Sequence, residues 1–209
     1  MKKLIRNAIP VIIGLLILTP HSWGQGITGG FKGGLTMSNL YIDREDLDDE
    51  NARFGFHVGV FSQMMVADVV GFQPELLFST KGTEGVYGGI INQTVTFNMN
   101  YLDLPILLVV RPVDLLEIHA GPYVGLLISS NVEYTGTIDG ESEIDRDHFN
   151  TIDYGFAAGV ALNFGSVQIG LRYNLGLQEL ADSDTSRMLL GDSKHSFGQL
   201  FLGLKVPQY

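Results

Sequence analysis

The chain contains no cysteine. A disulfide framework, a thiolate metal site and a lipidated cysteine behind a leader are thereby excluded. Positive charge is scarce as well, with 13 Lys and Arg against 23 Asp and Glu. Nucleic acid needs a basic surface to neutralise its phosphates, so no nucleic-acid partner is expected. Past residue 24 no apolar run reaches the roughly 20 residues that a spanning helix requires. If the mature chain enters a membrane, it does so as strands. The pairs Gly29-Gly30 and Gly33-Gly34 precede no helical pattern, so they form no phosphate-binding loop.

The first residues have the make-up of a secretory signal. Lys2, Lys3 and Arg6 precede an apolar run at residues 8–18, and Ser22-Trp23-Gly24 places small residues where a signal peptidase reads. Cleavage before Gln25 is expected, giving a signal peptide at 1–24 and one domain at 25–209. The leader holds three of the 13 basic residues and no acidic one, so the mature charge is 10 minus 23, or -13.

The domain is organised around residues 101–130, YLDLPILLVVRPVDLLEIHAGPYVGLLISS. Two alternating runs flank a turn expected at Arg111-Pro112-Val113-Asp114. From Leu116 the even positions through Ile128 are apolar, and the odd ones include Glu117, His119, Tyr123 and two glycines. A period of two with unlike faces is the mark of strands.

The plan repeats at residues 28–39, 53–65, 70–81, 94–110, 154–164, 167–178 and 199–206. In each, one face is apolar and nearly free of charge, while the other is rich in Gly and polar groups. Two irregularities stand out. Pro74 lies inside a run, where it cannot donate to a ladder, and is expected at a bulge or strand end. Val95, Phe97 and Met99 have the opposite parity to Leu102, Leu104 and Ile106, which a bulge near Asn100 would reconcile.

Eight strands are thus expected, with connections alternating long and short. That is the plan of an eight-stranded antiparallel up-and-down transmembrane β-barrel of the outer membrane. A soluble barrel would put its charges outward. Lipid outside and a crowded lumen account for the reverse, and closure satisfies every backbone group.

The segments FKGGLTMSNL (31–40), QPELLFSTKG (73–82), YLDLPILL (101–108), AGPYVGLLIS (120–129), DYGFAAG (153–159) and LRYNLGL (171–177) together resemble the PorT-type outer membrane β-barrel family of Gram-negative bacteria. The resemblance covers essentially the whole mature chain and implies outer-membrane location, lipid contact and a small closed barrel. It implies no shared catalytic site. The family's namesake is tied to protein secretion, which raises secretion or other envelope proteins as partners. The chain departs from the pattern at Pro207, which interrupts the last alternation before Tyr209.

Lys32, His57, Glu75, Lys81, Asp103, Glu117, His119, Arg172 and Lys205 fall on the polar faces. They can be read as a proton or ion path, or as a structural network of paired charges filling the lumen. Eight strands enclose room only for side chains, which favours the network. Acidic stretches at 43–50 and 139–147 offer carboxylates for calcium but lack the spaced ligands and central glycine of a known loop. Solvated loops are expected instead, with no metal or cofactor. Ser38, His57 and His148 could be imagined in a lipid-modifying enzyme, but no nucleophile, base and orienting acid stand at a recognisable spacing. Tyr101, Tyr123, Tyr154 and Tyr173 suit either interfacial girdles or the lumen. The expectation is a non-enzymatic barrel with a structural or interaction role. The alternatives are an accessory part of a secretion or transport assembly and an open, porin-like pore.

Overall fold

The computed structural model describes residues 27–41, 50–51, 53–87, 93–136, 140–143, 151–179 and 194–206. The expected leader and cleavage point, most of the acidic stretches at 43–50 and 139–147, His148 and Pro207 lie outside the described residues. Ten strands are present among the described residues: β1 (Ile27–Tyr41), β2 (Glu50–Asn51), β3 (Arg53–Met65), β4 (Val70–Tyr87), β5 (Gln93–Val113), β6 (Leu116–Gly136), β7 (Gly140–Glu143), β8 (Ile152–Phe164), β9 (Val167–Glu179) and β10 (Lys194–Val206). Setting aside the short β2 and β7, eight antiparallel strands run in the order β1-β3-β4-β5-β6-β8-β9-β10, and β1 pairs with β10 to close the ring.

Closure and alternation decide what each strand presents. Phe31, Leu35 and Met37 of β1 are exposed, as are Phe54, Phe56, Val58 and Val60 of β3 and Leu171, Tyr173 and Leu175 of β9. Between them Lys32, Thr36, His57, Arg172 and Asn174 are buried. In water this distribution would be untenable; in hydrocarbon the apolar belt meets its solvent and the ladders satisfy the backbone.

The short turns share one end. Gly165, at φ 61°, opens the two-residue turn to β9 as glycine does in a type II′ hairpin. Neighbouring turns are tied by backbone bonds from Arg111 N to Val69 O (2.8 Å), Asn163 N to Leu115 O (2.8 Å) and Lys205 N to Ser166 O (2.7 Å).

The other end departs from expectation. β5 and β6 each run for 21 residues and β4 for 18, where about 9–11 suffice to cross a bilayer. β8 accompanies β6 only as far as the pair Leu126–Ile152. Above it β6 is joined by β7, and β4 by β2. Residues 82–87, past the expected end of the run at 81, continue β4 because Thr, Val and Tyr favour the pleated backbone.

Both irregularities are resolved differently from the expectation. A bulge does lie beside Asn100, but the extra residue is Ile128 of β6: Asn100 pairs with Ser129 and Tyr101 with Leu127. β5 itself keeps one parity, in unbroken register with β4. Met99 is a buried lumen residue, and Val95 and Phe97 share its parity. Pro74 sits at neither a bulge nor a strand end. It occupies the interior of β4, where the β3–β4 ladder is interrupted between Phe61–Glu75 and Met64–Phe72, so its missing N–H breaks no pair. The turn between β5 and β6 falls at Asp114–Leu115, just past the expected position.

Candidate functional site: the lumen

The lumen-facing positions pair large charged groups with glycine. Lys32 lies between Gly59 of β3 and Gly203 of β10. His119 and Arg172 both face Gly159 of β8, and Asp103 and Asp153 both face Gly125 of β6. A Cβ on Gly125 would lie 2.6 Å from Asp103 Oδ1. The glycines thus leave the volume that the long side chains fill, as a narrow barrel demands.

Glu75 is the hub of the middle layer. Its Oε1 accepts from Lys32 Nζ at 2.6 Å, Gln73 Nε2 at 2.7 Å and Arg172 Nη2 at 2.8 Å, and its Oε2 accepts from Arg172 Nη1 at 2.8 Å. β4 and β9 stand opposite one another in the ring, so this bidentate pair crosses the lumen. Phe201 flanks both cations, 4.2 Å from Lys32 Nζ and 5.4 Å from Arg172 Cζ. Arg172 Nε also donates to His119 Nε2 at 3.3 Å. A neutral ring then carries its proton on Nδ1, which lies 3.8 Å from Glu117 Oε1.

Below this layer, toward the short turns, Glu117 accepts from the side-chain amides of Gln63 at 3.0 Å and Gln168 at 2.9 Å. Lys205 is half-buried and donates to Asn163 Oδ1 at 2.6 Å. Above it, Lys81 meets Asp103 at 2.9 Å and Asp153 at 3.5 Å.

Every residue singled out for the polar face lies on the lumen side, and all but His57 fall in three groups: Lys32, Glu75, His119 and Arg172; Glu117 and Lys205; Lys81 and Asp103. His57 stands apart, its Nδ1 bonded to Thr36 Oγ1 at 3.1 Å. Tyr101 and Tyr123 are buried, whereas Tyr154 and Tyr173 are exposed on the lipid side. The imagined pairing of Ser38 with His57 does not form, because Ser38 Oγ donates to Gly82 O at 2.8 Å.

Sequence reasoning did not single out Asp153 or the buried rings of Phe61, Phe197 and Phe201, and left the amides Gln63, Gln73 and Gln168 among the polar groups of the inner faces. Parity was the available signal. Phe61 is in step with His57, and Phe197 and Phe201 are in step with Gln199, but an aromatic ring carries no charge to mark it as inward.

A family model described as outer membrane protein beta-barrel domain matches residues 21–182. Among solved structures the fold is similar to that of Ail, the attachment invasion locus protein of Yersinia pestis, at 14% identity and TM-score 0.50, covering 87% of this chain and 100% of that one. Neisserial surface protein A aligns at 13% identity and TM-score 0.47, over 87% of this chain and 99% of that one. No curated protein matches the chain. The chain belongs to the outer membrane protein β-barrel domain family, and the protein is a small integral β-barrel of the outer membrane.

Proposed function

We propose that this barrel is a sealed, non-enzymatic membrane element that works through the strands projecting beyond its long-loop end. The observation that carries the reading is the cross-lumen pairing of Glu75 with Arg172 and Lys32. With every oxygen of that carboxylate engaged, the charges are committed to one another rather than to a permeating ion. The polar-face residues then act as a structural plug, which leaves the projecting strands as the surface free to engage a partner.

Those strands have a distinctive register. One cross-strand row holds Asn51, Glu84, Thr96, Glu133 and Glu141. The adjacent rows, on the other face, hold Thr83 with Phe97 and Val132, and Val95 with Tyr134. The Ail structure was determined with the heparin analogue sucrose octasulfate. A row of carboxylates is unsuited to such a polyanion, so a protein partner is the better fit.

The finer readings rest on sequence. The six quoted segments support a PorT-type member, residues 1–24 support a cleaved leader, and the namesake's role makes a secretion or transport assembly the second candidate partner. A photocrosslinking residue at Thr96, used in native outer membranes, tests the proposal. Stoichiometric capture of a protein is the expected result, and secretion components among the products would select the second candidate. Crosslinks to lipid alone would overturn the interaction role.

A further inference from the structure

The upper lumen is built like a receptor for an ammonium ion. Lys81 Nζ lies 2.9 Å from Asp103 Oδ1 and 3.5 Å from Asp153 Oδ2. It also stands over three rings, 4.2 Å from the centroid of Phe197, 4.5 Å from Tyr101 and 5.4 Å from Tyr123. Carboxylates supply the charge, and aromatic faces hold a cation that has left bulk water.

Two features distinguish this from an ordinary ion pair. The surrounding groups come from β5, β6, β8 and β10, and Lys81 alone comes from β4. The cage is therefore complete without the strand that delivers its occupant. It also carries two carboxylates for one ammonium. Asp153 is 3% exposed, and its Oδ1 has no hydrogen-bond partner among the described residues, although Tyr123 donates to its Oδ2 at 3.3 Å. A buried carboxylate oxygen left open calls for a donor.

We propose that this is a binding site for the ammonium group of a primary alkylamine, held in the native chain by the side chain of Lys81 as a tethered occupant. Shortening Lys81 opens the site to a free amine of matching length. Propylammonium replaces the three methylenes and the ammonium lost in Lys81→Ala. The cage does not depend on the sealed-barrel reading, since it concerns one layer of the lumen and not its permeability.

The test is chemical rescue in detergent-refolded protein, followed by the temperature at which the folded gel band is lost. Propylammonium chloride should raise that temperature by several degrees for Lys81→Ala. Sodium chloride at equal ionic strength should not, and neither should tetramethylammonium, which has no N–H to donate. Wild type should respond to propylammonium no more than to sodium. The response should disappear when Asp103→Asn and Asp153→Asn are added. Should Lys81→Ala not refold in buffer, propylammonium should restore its refolding yield. A response to sodium equal to that to propylammonium, a response that survives loss of both carboxylates, or no refolding with or without the amine would each overturn the site.

Discussion

Glu75 accepts four hydrogen bonds from three side chains. Glu75→Ala would leave Lys32 and Arg172 buried without a counter-charge, at a cost of about 3–5 kcal/mol. Urea unfolding of the refolded barrel should show that loss, and replacing the group together (Glu75→Leu, Arg172→Met, Lys32→Met) should recover much of it. A loss no larger than the roughly 1 kcal/mol of an exposed pair would contradict the hub. On the outer face the same logic runs in reverse. Leu171 is 59% exposed, so Leu171→Arg places a guanidinium against lipid, at about 2–4 kcal/mol near the midplane. The same unfolding assay measures it, and a neutral effect would argue that Leu171 does not face hydrocarbon. At this scale charge was the legible signal. The nine polar-face residues were legible because a charge on an otherwise greasy strand has one place to go, whereas Phe61, Phe197 and Phe201 suit either face and only their parity marks them as inward.

At the scale of the strand, glycines divide into two kinds. A Cβ on Gly155 would meet the carbonyl of Leu175 on the adjacent strand, whereas one on Gly198 would meet nothing. Gly155→Ala should therefore cost about 1–3 kcal/mol through forced backbone shift, and Gly198→Ala should leave stability unchanged. Heat-modifiable gel migration of the two variants decides it; equal effects would mean that the lumen side of β8 is less crowded than the geometry requires. The strand plan was largely legible, since alternation of face is written in every run from Phe31 to Val206. Strand ends were not. β4 runs on to Tyr87, β5 begins at Gln93 and β6 runs on to Gly136, well past the ends that the apolar alternation marks. A bulge was invoked within β5 to repair a break in parity that the strand does not contain. The real bulge, at Ile128, is disguised because Leu126, Leu127 and Ile128 are all apolar and hide the change of step.

The whole molecule joins a belt made for lipid, a lumen filled by its own charges and a set of strands that rise past the bilayer on one side. The first two follow from alternation and from the small circumference of an eight-stranded ring. The third could not be read from any one strand, because it depends on β8 ending at Ile152 while β6 continues to Gly136. The proposed seal of the lumen rests on this chain alone. Conductance across a planar lipid bilayer tests it most directly. Refolded wild-type protein should insert without steady current, and Glu75→Ala, with its cross-lumen pairs broken, should show openings that the parent lacks. A steady ohmic conductance from the wild type would contradict the sealed lumen and make the protein a pore.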